Sequence, residues 1–237
     1  MVVKAVERGY NDYGWLKANY SFSFAGYYNL ERINFGALRV LNDDSIQGGK
    51  GFDKHPHDNM EIITIPLKGS LAHKDSMSDK WIALDSGEVQ VMTAGKGIIH
   101  AEKNYSEVDP LHLFQIWIYP DKQNVIPSYD QMKFKKEERE DNLQVLVTSN
   151  EDKETKSLKI HQNAKISRID LSKGNSFHYH LISKNHGVYI MVISGKVKIN
   201  TIELQKRDAL GIYETTDFLL HSKQSAEVLF IEVPMEF

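Results

Sequence analysis

The sequence predicts an all-β protein that contains two similar β-barrels. Short segments rich in β-branched and aromatic residues alternate with turns that contain glycine or serine. These segments are Glu61–Leu67, Glu88–Thr93, Leu111–Tyr119, Gln144–Thr148, Gly187–Ile193, Lys196–Ile202 and Ala226–Val233, with a turn predicted at Ser194-Gly195-Lys196 among others. Helical signal is sparse. Residues 129–140 (YDQMKFKKEERE) have clustered charges and no clear apolar stripe, which indicates a solvated connection with a turn or short helix.

A weak internal repeat supports two barrels. The first half contains His55-Pro56-His57 before the segment EIITIPLKG, and the second contains His178-Tyr179-His180 before GVYIMVISG. Each half also has a later histidine, His100 or His221. We therefore place an N-terminal domain at residues 1–132 and a C-terminal domain at residues 133–237. We expect the fold to be duplicated, but not the site.

Composition excludes several chemistries. The 237 residues include no cysteine, so disulfides, zinc–thiolate sites, iron–sulfur clusters and thiol nucleophiles are ruled out. The formal net charge of −3 provides no field that attracts phosphates, and we expect no direct nucleic acid binding. The first residues lack the apolar core of a secretory signal, and no apolar run is long enough to cross a bilayer. We expect a cytoplasmic protein without membrane association.

The segment GKGFDKHPHDNME (residues 49–61) is the first of two motifs that suggest a metal site. On a strand, residues two apart share a face, so His55 and His57 can converge on one ion. On a helix the same spacing would separate them by about 200°. Pro56 favours an edge strand, because it cannot donate to a ladder. Taken alone, the segment is equally well interpreted as a solvated loop.

The second motif, GEVQVMTAGKGIIHAEKN (residues 87–104), completes a possible ligand set. His100 and Glu102 share a face by the same two-residue rule. Three imidazoles and one carboxylate suit Fe(II), Mn, Co, Ni, Cu or Zn and leave positions open for oxygen or substrate. A glutamate beside the metal could also act as a base on a bound hydroxyl.

The two segments resemble the two cupin motifs, through Gly49, His55, His57 and Glu61 in the first and Gly97, His100 and Asn104 in the second. Further stretches resemble the pirin family more closely. They are residues 13–16 (YGWL), 21–28 (SFSFAGYY), 35–44 (FGALRVLNDD), 55–64 (HPHDNMEIIT), 73–77 (HKDSM), 90–102 (QVMTAGKGIIHAE), 111–118 (LHLFQIWI) and, more weakly, 226–234 (AEVLFIEVP). Among pirins, the chain is most similar to the bacterial branch with quercetin 2,3-dioxygenase activity.

The resemblance implies two cupin barrels of the jelly-roll type, packed face to face with few short helices. It also implies one mononuclear divalent metal in the N-terminal barrel, which we take to be Fe(II), with Mn, Co, Ni, Cu and Zn as alternatives. The family ligands map to His55, His57, His100 and Glu102, with Glu102 also placed to accept a proton. The general cupin pattern would instead nominate Glu61, which we expect to be a partner beside the ligands.

The activity implied is that of an oxidoreductase that opens the central ring of a flavonol with dioxygen and releases carbon monoxide. Two alternatives stay open. One is a metal-dependent transcription cofactor or redox sensor that acts through a protein partner, and the other is a cupin enzyme for a different small molecule.

Two further groups of residues have weaker signals. His73 and Gln115 are candidates for the surroundings of the metal or for the pocket, although a hydrogen-bonded pair with Asp75 and ordinary packing explain them equally well. In the C-terminal half, His178, His180 and His221 are weak candidates, because Lys184 occupies the position of the motif glutamate. We expect no metal there.

Overall fold

A computed structural model describes residues 1–237, the side chain of Asp79 excepted. Its strands are Val2–Val3 (β1), Gly9–Asp12 (β2), Leu16–Tyr20 (β3), Leu38–Ile46 (β4), Gly51–His57 (β5), Glu61–Lys68 (β6), Ser70–Asp75 (β7), Ser78–Asp85 (β8), Glu88–Thr93 (β9), Ile98–Asn104 (β10), Leu111–Ile118 (β11), Ser128–Lys133 (β12), Gln144–Ser149 (β13), Leu158–Ile160 (β14), Lys165–Leu171 (β15), Ser176–His180 (β16), His186–Ile199 (β17), Ile202–Gln205 (β18), Ala209–Ile212 (β19) and Asp217–Pro234 (β20). The described helices are two 3-10 turns, Ala5–Glu7 and Lys136–Arg139. No described helix has the length and apolarity needed to span a membrane.

The first half is a barrel made from two sheets. The larger sheet has seven strands in the order β12-β9-β6-β11-β4-β3-β2, and the smaller has four in the order β5-β10-β7-β8. Side chains from both sheets, including Leu16, Leu71, Leu84 and Leu113, meet between them and are buried. Strand β5 is an edge strand, as Pro56 predicts.

The second half is built on a nine-stranded sheet, to which the first half contributes β1 as an edge strand, and this sheet folds over its own core. Its longest strands, β17 and β20, pair along most of their length. The turn predicted at Ser194-Gly195-Lys196 is wrong, because β17 runs through these residues with shifts of register. Gly195 has φ +80°, and a Cβ there would lie 2.1 Å from the carbonyl oxygen of Ser225. The glycine therefore permits a bulge rather than a reversal of the chain.

The prediction for residues 129–140 is correct only in part. Lys136–Arg139 forms the expected short helical turn. Residues 128–133, however, form β12, which pairs with β9 along its whole length. Pairing with β9 makes this segment a strand, although its own sequence lacks a clear apolar pattern. Strand β12 belongs to the sheet of the first half and β13 to that of the second, while the domain boundary at 132/133 stays a prediction.

The largest apolar cluster lies between the two halves. It joins residues of the first half, such as Leu41, Ile63 and Phe114, to residues of the second, such as Tyr189 and Leu229. These side chains are almost completely buried. Because burial of apolar surface contributes about 25 cal/mol per Å², this shared core holds the barrels face to face.

Phe35 extends the shared core into the second half. Its ring is 4% exposed and lies 5.7 Å from the ring of Tyr189. A Cβ on Gly187 would lie 2.7 Å from Phe35 Cζ, and a Cβ on Gly211 would lie 2.6 Å from Phe35 Cε2. The missing side chains of these two glycines thus create the space that the phenylalanine fills.

Segments near each end of the chain pack on the opposite half. Strand β1 pairs with β19, where Val3 is opposite Ala209. At the end of β20, the chain contacts the first half, where the backbone N–H of Ala37 donates to Pro234 O at 3.0 Å. Phe237 then stacks on Tyr119 with ring centroids 5.1 Å apart. The two halves therefore exchange segments as well as sharing a core.

Candidate metal centre

Two antiparallel strands of the four-stranded sheet bring three predicted ligands together. His55 of β5 lies directly opposite His100 of β10, and His57 lies opposite Ile98. The ring centroids are 4.4 Å apart for His55 and His100 and 4.9 Å apart for His57 and His100. One nitrogen from each of the three rings lies within 4.8 Å of the other two.

The ring nitrogens at this cluster are free to bind an ion. His55 Nδ1 lies 2.7 Å from the carbonyl oxygen of Asp53, which can only accept, so Nδ1 carries the proton and Nε2 keeps its lone pair. His57 Nε2 and both ring nitrogens of His100 are buried without a hydrogen-bond partner among the described residues. Buried polar atoms are normally paired, so the arrangement fits a transition metal.

Burial also favours the neutral form of His57 and His100. It lowers the pKa of His57 to about 4, with a further contribution from the neighbouring His55. It lowers the pKa of His100 to about 4 as well, against the opposing charge of Glu102. Both imidazoles are therefore unprotonated at neutral pH, which is the form that binds metals.

Glu102, the fourth predicted ligand, lies beside His100 and His73, with one carboxylate oxygen within 4.8 Å of a nitrogen of each ring. Gln90 Nε2 donates to its Oε1 at 2.9 Å, and Gln115 Nε2 donates to its Oε2 at 2.9 Å. Burial would raise its pKa, but the contacts with His73, His100 and Gln90 hold the pKa at about 2. Glu102 is therefore an ionised carboxylate in a fixed orientation.

His73 connects the site to the turn that follows β7. Its Nε2 lies 3.0 Å from Asp75 Oδ2, and its Nδ1 lies 3.8 Å from Glu102 Oε1. Burial opposes its protonation, but the carboxylates of Glu102 and Asp75 outweigh burial and raise its pKa. The ring also stacks on Tyr129, with centroids 4.6 Å apart. His73 therefore fits both interpretations of the sequence, because it is paired with Asp75 and also lies beside the candidate ligands.

Glu61 is not brought together with the histidines. It shares a face of β6 with Ile63, which packs in the core between the barrels, whereas Thr64 on the other face contacts Gln90. Glu61 Oε2 accepts a hydrogen bond of 2.7 Å from Thr93 Oγ1. Its other interactions involve the backbone of His161 and the charge of Asp121. Alternation along β6 therefore directs Glu61 away from the candidate ligands.

Replacing Glu61 with glutamine should leave metal content unchanged, whereas Glu102→Gln, which alters a predicted ligand, should weaken metal affinity by more than the roughly 10- to 100-fold typical of supporting residues. Equilibrium dialysis with nickel(II) measures both. Equal losses in the two variants would contradict the choice of Glu102.

The same Glu61→Gln variant should show a characteristic pH dependence of stability. Burial raises the pKa of Glu61 to about 7. Between about pH 4.5 and 7 the folded state keeps a proton that the unfolded state has lost, so the carboxyl group reduces stability as the pH rises. Glutamine cannot ionise. The free energy of unfolding of each metal-free protein is measured with urea. The variant minus the parent should be about 2 kcal/mol larger at pH 8 than at pH 5. A difference that does not change with pH would contradict this.

His55, His57 and Glu102 open onto a cavity of about 230 Å³ in the first barrel. Its walls are apolar and aromatic on one side and polar on the other, formed by Leu16, Ala18, Tyr20, Phe24, Asn42, Asp44, Phe52, His55, His57, Glu102, Gln115 and Trp117. Trp117 packs edge-on against His57 at 4.9 Å, and its Nε1 donates to Gln115 Oε1 at 3.2 Å. A flat aromatic molecule can therefore reach the imidazoles between aromatic walls.

Comparison with known proteins places this geometry in a family. The family profile Pirin matches residues 3–118, and the profile Quercetinase C-terminal cupin domain matches residues 146–233. The quercetin 2,3-dioxygenase of Escherichia coli K12 is 40% identical over 231 residues, which cover 98% of this chain and 97% of that protein. The chain belongs to the pirin family.

Other relatives of this pirin extend the comparison. A putative quercetin 2,3-dioxygenase of Zymomonas mobilis is 39% identical, over 98% of this chain and 97% of that protein. The crystal structure of the bacterial pirin YhhW from E. coli in complex with nickel(II) superimposes with a TM-score of 0.91 at 37% identity, covering 99% of both chains. The predicted family and the fold of two cupin barrels are therefore confirmed.

The C-terminal half of this pirin contains a different and more exposed cluster. His178 Nε2 lies 2.8 Å from Asp217 Oδ1, and the rings of His178 and His180 are 4.3 Å apart. His221 does not belong to this group; its Nδ1 lies 3.0 Å from Ser176 Oγ. Asp217 was not predicted, because it approaches His180 only through the pairing of β16 with β20.

We expect this pirin to bind about one metal ion per chain, because the side chains of His178 and Asp217 are about half exposed and already paired with each other. Elemental analysis after dialysis should give near one equivalent in the parent and in a variant with both His178→Ala and His180→Ala. Two equivalents in the parent, reduced to one by these changes, would contradict the prediction.

Gln90 and Tyr129 are two of the residues at the first site that the sequence analysis missed. The Tyr129 hydroxyl lies 3.2 Å from Gln90 Oε1 and 2.7 Å from Gln131 Oε1. In the segment EVQVMT, alternation places Gln90 on the face opposite Val89 and Val91. A buried glutamine in such a strand was a usable signal. Tyr129 had none, since its segment was interpreted as a connection.

Proposed function

We propose that this pirin is a metal-dependent quercetin 2,3-dioxygenase. The observation that carries the proposal is the cavity itself, where the imidazoles of His55 and His57, with the ring of His100 beside them, form one end of a space lined by aromatic side chains. Flavonols are flat aromatic molecules whose 3-hydroxyl and 4-carbonyl oxygens form a chelating pair. The names of the curated relatives support the same substrate class.

His55, His57, His100 and Glu102 would hold the metal, which we propose to be Fe(II), with Mn, Co, Ni, Cu and Zn able to use the same donors. When bound, such an ion supplies Lewis acidity that lowers the pKa of a flavonol hydroxyl. The carboxylate of Glu102 lines the cavity and is ionised, so it can receive the hydroxyl proton. Hydrogen bonds from Gln90 and Gln115 keep that carboxylate oriented.

Apolar side chains supply the remaining part of the site. Phe24 packs edge-on against Trp117 at 5.3 Å, and Phe52 packs against Trp15 at the same distance. These rings restrict water around a bound flavonol and hold its plane. The reaction consumes one flavonol and one dioxygen: two bonds of the central ring break, both oxygen atoms enter the ring-opened ester, and the carbon between the cleaved bonds leaves as carbon monoxide.

A simple experiment tests the proposal. Metal-free protein is loaded anaerobically with Fe, Mn, Co, Ni or Cu, mixed with quercetin and then exposed to air. We expect the flavonol absorbance band to disappear with release of one carbon monoxide per flavonol for at least one metal. No turnover with any of these metals would overturn the enzyme assignment and favour the alternative of a metal-dependent binding protein.

A further inference from the structure

A row of polar side chains crosses the inner face of the seven-stranded sheet. In the strand register, Gln90 of β9 is opposite Thr64 of β6, Thr64 is opposite Gln115 of β11, and Gln115 is opposite Asn42 of β4. Gln90 donates to Thr64 Oγ1 at 3.1 Å, and both glutamines donate to Glu102. In the proposed function, Gln90 and Gln115 orient Glu102, whereas Asn42 has no role.

Asn42 and the next inward residue of β4, Asp44, have polar atoms without partners. Asn42 is 3% exposed and Asp44 is 5% exposed. Among the described residues, Asn42 Oδ1 and Asp44 Oδ1 have no hydrogen-bond partner. Their neighbour Asp43, on the other face of the strand, is paired with Arg8 and Arg207 at 3.2 and 2.9 Å. Leaving two buried polar atoms unpaired on one strand is costly.

Both side chains line the cavity that contains His55 and His57. Their cross-strand neighbours in β3, Tyr20 and Ala18, line it too and offer mainly apolar surface. A molecule in this cavity would therefore meet polar side chains at the imidazoles with Glu102 and Gln115 beside them, and again at Asn42 and Asp44, with apolar contacts elsewhere.

We propose that Asn42 and Asp44 form a subsite that binds a hydroxyl group of an aromatic substrate, distinct from the oxygen held beside the imidazoles. The inference rests on the proposed function for the identity of the aromatic molecule. Asn42 Oδ1 accepts the hydroxyl hydrogen, and the Asp44 carboxyl group in its acid form donates to the hydroxyl oxygen. A site built to pair with a hydroxyl rejects an analogue that lacks it, because the protein atoms are then left buried and unpaired.

The protonation of Asp44 agrees with this role. Burial, followed by the charges of Asp43 and Glu102, raises its pKa to about 8. At neutral pH the group is therefore mainly a carboxylic acid that can donate as well as accept. Asparagine, which has a similar shape and also donates, should replace it with little loss, whereas leucine should not.

The test compares two ligands on anaerobic protein loaded with nickel(II). Quercetin carries hydroxyl groups on its outer rings, and 3-hydroxyflavone has the same ring system with the 3-hydroxyl alone. Affinities are measured by fluorescence quenching for the parent, Asn42→Leu, Asp44→Leu and Asp44→Asn. Ser45→Ala is the matched control, since Ser45 lies on the opposite face of β4. Nickel content and thermal unfolding verify that each variant is folded and loaded.

We expect the parent to bind quercetin more tightly than 3-hydroxyflavone. Asn42→Leu and Asp44→Leu should each lose about 3- to 10-fold in quercetin affinity, with less than about 2-fold change for 3-hydroxyflavone. Asp44→Asn and Ser45→Ala should retain the preference. If Asp44→Leu does not fold, Asn42→Leu and Asp44→Asn decide the question.

Turnover measured on the same proteins separates this inference from the proposed function. Normal quercetin preference in both leucine variants of an active enzyme overturns the subsite and leaves the function intact. A preference that depends on Asn42 and Asp44 in a protein without turnover supports the subsite and overturns the function. A parent that binds neither flavonol overturns both.

Discussion

Replacing either His57 or His100 with alanine is expected to abolish metal retention and flavonol turnover together. Each change removes one of three imidazoles whose nitrogens lie within 4.8 Å of one another, and both nitrogens of His100 lack any other described partner. Loss of a ligand removes a metal–nitrogen bond outright, so metal affinity should fall by more than the roughly 10- to 100-fold typical of supporting residues. Nickel(II) dialysis and the quercetin assay measure the two effects.

His178→Ala is the matched control for these variants. It removes a histidine from an equivalent H-x-H spacing in the second barrel, where the side chain is exposed and paired with Asp217. It should leave metal content and turnover near those of the parent. Activity that persists in either His57→Ala or His100→Ala would move the reactive site away from the three histidines.

Phe35→Ala should lower the free energy of unfolding by about 3–5 kcal/mol, the range for buried phenylalanine. The ring is 4% exposed, and Gly187 and Gly211 have no side chains that could fill the space left behind. The surrounding structure can therefore relax little, and the cavity adds to the lost burial. Urea unfolding of the metal-free protein at constant pH measures the change.

Phe237→Ala provides a comparison of the same residue type between the same two halves. Phe237 stacks on Tyr119 but is 61% exposed, so its removal should cost less than about 1 kcal/mol. A similar small loss for Phe35→Ala would show that Phe35 does not anchor the second barrel to the first.

The histidine cluster was predictable because a strand converts sequence spacing directly into geometry. Two-residue spacing places His55 and His57 on one face, and Pro56 indicates an edge strand. The choice between Glu61 and Glu102 required the family resemblance, since both carboxylates fit the motifs. Their different surroundings depend on which face of each sheet points inward, and spacing alone does not provide that information.

Long-range pairing explains what the sequence analysis could not provide. Asp217 meets His180 only because β16 pairs with the first part of β20, and Tyr129 reaches His73 only because β12 pairs with β9. The bulge at Gly195 was interpreted as a turn, since a glycine with positive φ serves both purposes. Local sequence spacing does not indicate which distant strands pair with each other.

The exchange of segments between the barrels has a consequence for synthesis. Val3 pairs with Ala209, so the pairing of β1 cannot form before Ala209 has been synthesised. At about 5–20 residues per second, this is roughly 10–40 seconds after Val3. The hydrogen bond from Ala37 to Pro234 likewise cannot form before Pro234 has been synthesised. The nascent first barrel thus lacks these contacts until residues 209 and 234 have been made. Interruption of translation near residue 230 would leave the contact between Ala37 and Pro234 unmade and make the fragment more accessible to proteases.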